Sequence, residues 1–446
     1  MEERLKKAGQ VAIDLATREK IEAEAFVLHD RQLSIEVVNG EVETLSESEQ
    51  IGIGVRVIDQ DKTGFAYTTD LSPQAVEDAL HKAKQSAGYT TADQYLRLVE
   101  PGGSYPQMDL VDPAITEMTL EAKIALAIDV EKAARAYDKR ITVVERTGYD
   151  DSIFEMAIMN TRGVNAYSRG AYCALYAMLV AEENGAPETG FALRTRREPK
   201  GLNPAEVGEE AAANAVRMLG AKSIGSKKMP VIFEPYVATN FISLIASAVS
   251  ADAVQKGKSF FAGKLGQQVA SPVLTVVDDQ LRSEAVGSFP FDGEGTPAQR
   301  TVVLEKGWLK SYLYDAYTAA KDNCQSTGNG RRGSFRSLPG VGTSNFIIQP
   351  GEKSKEELIA EIDDGLMVTE VMGMHTANPI SGDYSLGITG IRIEKGKLTY
   401  PVRGITMAGN LVDLLKDIEA VGSDLTFYGS DASPSIRLKA VSLGGE

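Results

Sequence analysis

Apolar residues recur at helical spacing over residues 3–22, where Leu5, Ala8, Ala12 and Leu15 alternate with lysines and glutamates. The period then drops to two. Glu24–Asp30 and Gln32–Val38 read as strands parted by polar residues. Ile51–Ile58 is apolar at 51, 53, 55 and 57, and Gly64–Thr69 is a further short run. Ser72-Pro73, a hydroxyl cap with proline at the first helical position, starts a helix to Ala87 with Val76, Ala79, Leu80 and Ala83 on one face. The same order returns. A helix over Leu120–Tyr137 carries Ile124, Ala127, Ile128 and Val130. Strands follow at Ile141–Glu145, Ile153–Met159, Val164–Tyr167 and Tyr172–Val180. Asn203-Pro204 opens a helix to Gly220, with Glu206 placed for a capping box. Gly190-Phe191-Ala192 echoes Gly64-Phe65-Ala66. Helix, strands, helix thus occurs twice within 1–220, in halves of 1–110 and 111–220. An internal duplication and a coincidence between two ordinary α+β segments both account for it.

Ala221–Met229 is a short Lys/Ser/Gly linker, and the composition shifts after it. Met229–Phe233 is apolar, and a helix over Tyr236–Ala251 buries Val237, Phe241, Leu244 and Ala248. From residue 257 the chain is rich in glycine and short β-type runs: Val273–Val277, Thr301–Leu304, Phe346–Ile348, Met367–Val371, Ile388–Ile393 and Thr399–Val402. Glu394-Lys395-Gly396-Lys397 reads as a hairpin turn. Ser354 with Glu357 starts one more helix, and Asn410 another, with Leu411, Leu414, Leu415 and Ile418. The fold class is α+β. An N-terminal α+β region over 1–220 precedes a large, mostly antiparallel, sheet-rich C-terminal domain over 225–446.

The chain has 446 residues, enough for about three domains and sizeable cores. Apolar content of 43% and charged content of 24% are ordinary for a globular protein. No uncharged apolar run approaches a membrane span. Met1-Glu2-Glu3-Arg4 lacks the basic start of a signal peptide, so a cytoplasmic protein is expected. A net charge of −15 repels phosphate backbones, so no nucleic-acid partner is expected. The one compact basic cluster, Arg331, Arg332 and Arg336, reads as loop or partner contacts. Cys173 and Cys324 have no metal-knuckle or redox spacing and read as two reduced thiols.

His29, His81 and His375 are isolated, with no HExxH or HxH pair. His375 sits in the Gly-rich stretch Met372–Asn378, either at a groove or as an ordinary polar histidine. Gly328–Ser334 has the glycine spacing of a phosphate loop but lacks the lysine that neutralises phosphate. Gly52-Ile53-Gly54 lacks the third glycine of a dinucleotide fingerprint, and no GxSxG elbow is present. Asp278-Asp279 and Asp292-Gly293-Glu294 suit general acid–base work if burial splits their pKa values. They equally suit capping of turns at Gly293 and Gly295, the preferred reading.

Several motifs in register point to one family. Phe291–Arg300 is similar to DDEGTPxQ, and Val303–Tyr312 to its LIENGxLKGY continuation. Ser326–Arg332 matches TGNGRR, and Ser344–Gly351 matches TNxxxxPG. Gly54–Val57 and Gly64–Ala66 fit the first domain, while Asn378–Ser385 and Ile405–Leu411 fit the PmbA (TldE) branch. Nearly the whole chain resembles the TldD/PmbA family. The TldD branch carries HExxxH on a helix upstream of a Ser-aromatic pair, where two histidines bind zinc and the glutamate polarises water. Counting back from Ser259-Phe260, those positions are Ile242, Ser243 and Ser247 here. The C-terminal cysteine ligand of TldD chains has no counterpart in Leu425–Leu443.

The resemblance therefore implies a subunit without catalytic or metal-binding residues of its own. It would act in a zinc metalloprotease complex that degrades unfolded peptides, with the zinc in a TldD-type partner. Asp292, Glu294, Asn329, Arg331, Arg332, His375, Asn378 and Asp383 are then candidate groove or partner contacts. The family label of a DNA gyrase modulator fits the acidic charge poorly. Two other readings stay open: a homodimeric peptide-binding scaffold, and a self-sufficient hydrolase built on Asp292, Glu294 or His375.

Overall fold

The computed structural model describes residues 1–445. Its first half is α1 (Glu2–Arg18), β1 (Glu22–Val38), β2 (Glu41–Asp59), β3 (Lys62–Thr68) and α2 (Pro73–Ala87). After a one-turn helix, α3 (Ala114–Glu117), come α4 (Leu120–Tyr137), β4 (Ile141–Asn160), β5 (Asn165–Glu183), β6 (Ala186–Arg196) and α5 (Pro204–Val216). The strands form one antiparallel six-stranded sheet ordered β3-β2-β1-β4-β5-β6. Two helix–three-strand–helix units thus join through their first strands, paired from Glu24–Asn160 to Val37–Thr147. Asn39-Gly40 and Asn184-Gly185 make the first hairpin turn of the first unit and the last of the second, with positive φ at both residues.

The strands are longer than their apolar runs predict. Glu24–Asp30 and Gln32–Val38 are one strand of 17 residues, and the four runs of the second unit merge into β4 and β5. Polar residues do not end these strands because cross-strand neighbours satisfy them. Asp30 is buried and accepts bonds from Gln32, Gln50 and Ser152. Asn203 caps α5 alone, because Glu206 pairs instead with Arg194.

Side chains alternate faces along a strand. On β1, Ala23, Ala25, Val27, Leu33, Ile35 and Val37 share one buried face. α1 and α2 cover its first part, and α4 and α5 its second. The glycine echo has a packing cause. A Cβ on Gly64 would run into the Ala83 carbonyl of α2, and one on Gly190 into the Ala211 carbonyl of α5. Each glycine lets a helix lie directly on an edge strand.

The second half opens with β7 (Lys227–Phe233), α6 (Pro235–Ala248) and α7 (Ala251–Gln255). Next come β8 (Val276–Asp279), β9 (Arg300–Glu305), β10 (Trp308–Leu309), α8 (Ala316–Lys321), β11 (Gly330–Arg331), β12 (Gly340–Val341) and β13 (Phe346–Ile348). α9 (Lys355–Ala360), β14 (Asp364–Met372), β15 (Asp383–Glu394), β16 (Lys397–Asn410) and α10 (Leu411–Lys416) follow. β17 (Ile418–Val421), β18 (Thr426–Tyr428), β19 (Asp431–Ser433) and β20 (Ile436–Gly444) complete it. This sheet-rich half holds two six-stranded sheets, β10-β9-β8-β13-β19-β18 and β16-β15-β14-β7-β20-β17, and the two-stranded β11-β12. Pairing is antiparallel except for β7–β14 and β13–β19. α6 contributes Val237, Phe241, Ile242, Ile245 and Ala248 to a core shared by strands of both sheets, which accounts for its largely apolar surface.

Gly64→Ala and Gly190→Ala should each lower stability by about 1–3 kcal/mol in denaturant titrations, since a helix backbone must move. Gly225→Ala, with open space around its Cβ, should stay within about 0.5 kcal/mol of the parent.

Candidate functional site

The second half docks on the face of β1 and β2 that the helices leave open. Phe291 and Phe335 pack on Phe26, Met156 and Ile158. Gly52 and Gly54 make room for Phe335, whose ring or carbonyl a Cβ on either would strike. Four charged side chains are buried in this apolar contact. Arg56 Nη2 donates to Glu24 Oε2 at 2.9 Å and to Glu294 Oε1 at 3.2 Å. Arg332 pairs with Glu24 Oε1 and donates to the carbonyls of Gly293 (2.7 Å) and Ser337 (2.9 Å). Glu294 Oε2 accepts the Ala316 amide at the start of α8 at 2.8 Å.

The expectation that Arg332 serves a groove or partner is corrected by this geometry. Its donors end on a carboxylate and two carbonyls of its own chain, and its side chain is 1% exposed. Asp292, Glu294 and Asn329 are equally inaccessible, at 1%, 1% and 0%. Asp292 is the turn cap the sequence suggests. Its Oδ1 accepts the Glu294 and Thr296 amides at 2.9 Å each, and its Oδ2 accepts the Gly330 amide at 2.8 Å. A second knot forms on Asp278, which accepts from Asn329 Nδ2 (2.7 Å), the Ser344 amide (2.7 Å) and the Ser344 hydroxyl (2.8 Å). Thr327 donates to Asn329 Oδ1 at 2.6 Å. Arg331 lies over the Phe289 ring and faces the charges of Asp278 and Asp292. Its Nε and Nη2 are buried without a hydrogen-bond partner among the described residues.

Burial pushes the Glu294 carboxyl up to about 8. Arg56 pulls it back, and Asp292, Asp315 and Glu24 add repulsion. Burial likewise raises Asp278 and Asp292, against Arg331 and the amide donors.

Arg197 makes a second tie between the halves. Its guanidinium donates to the carbonyls of Leu110, Ala171, Ala285, Val286 and Ser288. With no carboxylate beside it, burial pushes its pKa down to about 10. Glu24, Arg56 and Arg197 escape the sequence reading as site residues. The signal for the first two is a lone charge inside an apolar strand, as in Val55-Arg56-Val57.

The remaining candidates lie elsewhere. His375 is exposed on the one-turn segment Met374–Thr376, entered through Gly373 at φ 83. Asn378 Oδ1 accepts the Ile380 and Ser381 amides. Asp383 accepts from Asn410 Nδ2 (2.8 Å) and the Ser381 hydroxyl (2.7 Å), bonds that hold its carboxyl below the usual range. Asn378 and Asp383 thus shape one exposed loop and do not join the buried network.

On α6, Ile242 is buried and Ser243 and Ser247 are exposed. Ser243 Oγ donates to Asn240 O at 2.8 Å, and Ser247 Oγ to Ser243 O at 3.1 Å. Ser259 Oγ donates to the Ala248 carbonyl at 2.5 Å and so closes the end of the helix.

Family models match along the chain: PmbA/TldA metallopeptidase domain 1 over residues 23–87, the central domain over 113–219 and the C-terminal domain over 226–445. The metalloprotease PmbA of Escherichia coli O157:H7 is 30% identical over 446 residues, covering 99% of this chain and 96% of that protein. The chain belongs to the PmbA/TldD family. A Thermotoga maritima protein described as a candidate modulator of a DNA gyrase superposes with a TM-score of 0.91 at 31% identity, covering 98% of this chain and 99% of that one. TldE from Thermococcus kodakarensis gives a TM-score of 0.91 at 25% identity, covering 98% and 100%. The PmbA/TldD family name implies a metal, and the α6 positions do not fit one. A buried isoleucine and two neutral hydroxyls bonded to their own helix are poor zinc ligands. No helix among the described residues is long and apolar enough to cross a membrane.

Arg332→Met should cost about 3–5 kcal/mol in denaturant titrations, because it strips Glu24 of one of two buried partners. Glu294 holds its proton more tightly folded than unfolded. Stability should therefore fall as pH rises from the ordinary glutamate value of about 4.5 towards about 8 and level off above it. Glu294→Gln should flatten that slope, as read from melting temperatures across the range.

Proposed function

We propose that this chain is a PmbA (TldE)-type subunit that does not itself cleave peptides. It works with a TldD-type metallopeptidase on unfolded polypeptide. The observation that supports this most is α6. Amide hydrolysis at neutral pH needs an activated water or nucleophile and a group that stabilises the oxyanion. The helix that would carry the zinc motif offers Ile242, Ser243 and Ser247, and the serine hydroxyls are engaged by its own carbonyls. The framework around it is intact. Asp278, Asp292, Asn329 and Arg332 hold the family's glycine-rich segments in one buried network. A chain that keeps the framework without the chemistry serves a partner that has both, and zinc belongs to that partner.

Two measurements test this. Elemental analysis of the isolated chain should find no stoichiometric zinc. Cleavage of an unstructured peptide should be at background for this chain alone and should rise when a TldD-type chain is added. A chelator should abolish that cleavage. Chelator-resistant cleavage by the lone chain would make it a hydrolase in its own right. An unchanged rate on mixing would leave only a scaffold.

A further inference from the structure

A cleft of about 790 Å³ lies between β6 and α5 of the first half and the starts of α6 and α9, the end of β14 and β18 of the second. Its volume is in the range of ligand sites, roughly 300–1,000 Å³. Three aromatic rings line it. Phe191 and Tyr236 are 38% and 40% exposed. Their centroids are 6.3 Å apart, and Tyr428 sits edge-on to Tyr236 at 5.1 Å.

The charges around these rings are unequal in availability. Every cation of the lining is already paired: Arg194 with Glu206 and Glu210, Arg217 and Lys355 with Glu234, and Arg146 with Glu36. Glu356 and Glu370 line the same cleft, are exposed, and have no ion pair among the described residues. Glu370 also repels the neighbouring Glu188, whose carboxyl burial has already raised. The cleft therefore offers π faces and free carboxylates but no free cation. That combination suits a positive charge on an apolar stem.

The β6 edge beside the cleft is a poor template for strand addition. Asn214, Arg194 and Arg196 donate to the carbonyls of Phe191, Leu193 and Thr195 and so blunt the β6 edge. We infer that this cleft captures a lysine or arginine side chain of an unfolded peptide between Phe191, Tyr236 and the carboxylates of Glu356 and Glu370. The inference rests on the peptide-handling reading above and adds a side-chain preference to it.

The test is a fluorescence titration of the isolated full-length chain with unstructured peptides that differ only in a central Lys, Gln or Glu. The lysine peptide should bind about three- to tenfold more tightly than the glutamine peptide, and the glutamate peptide more weakly still. Glu356→Gln/Glu370→Gln and Tyr236→Leu should each reduce that preference, with circular dichroism confirming the fold. Spermidine should compete only at much higher concentration than the lysine peptide. Equal binding of the lysine and glutamine peptides, or a preference unchanged in Glu356→Gln/Glu370→Gln, overturns the proposal. Displacement by spermidine at peptide-like concentrations overturns the peptide as occupant. The subunit role has its own readout. Cleavage of lysine-free peptides by the mixed chains leaves it standing even when no lysine preference is found.

Discussion

Two guanidiniums and two carboxylates, Arg56, Arg332, Glu24 and Glu294, are taken out of water where the halves of the chain meet. Each of these ions alone would carry a desolvation cost of several kcal/mol. Their mutual pairing offsets that cost, and one amide and two carbonyls engage further groups, while Arg56 Nε has no partner among the described residues. The constraint is one of register. Glu24 and Arg56 are direct cross-strand neighbours on β1 and β2, and the other two residues come from loops of the second half. A rotation of one half against the other would separate charges that the surrounding phenylalanines shield from water. The network therefore sets the angle at which the halves meet, and Arg197 repeats the tie at a distance with carbonyls instead of carboxylates.

That fixed angle shapes the cleft beyond it. Phe191 belongs to the first half and Tyr236 to the second, so their contact exists only when the halves are held together. Arg217 reinforces the junction, with bonds of 3.0 and 2.6 Å from α5 to Glu234 at the start of α6. The segments that look most like chemistry in the sequence, Asp292–Glu294 and Thr327–Arg332, hold the halves together, and the cleft is lined by other residues.

Much of the first half is legible from periodicity. The hydroxyl cap at Ser72, the helix faces and the repeated order all follow from local patterns. Strand length is not, because Asp30 and Ser152 look like strand ends until each is seen to satisfy the other across the ladder. The echo of Gly64 in Gly190 is visible in the sequence, while its cause, a helix backbone touching an edge strand, is visible only in three dimensions.

The sequence by itself determined the fold class and the family, because each rests on residue identity at a local spacing. Tertiary structure alone decided what the charged residues do. Arg332 reads as a surface contact in its glycine-rich loop and becomes a buried ion pair because Glu24, 308 positions away, reaches it. Asp292 and Asp278 become anchors for amides that no spacing rule connects. Local pattern records what a residue can bond to. Which partner it meets depends on how the sheets dock, and that is set by burial over the whole chain.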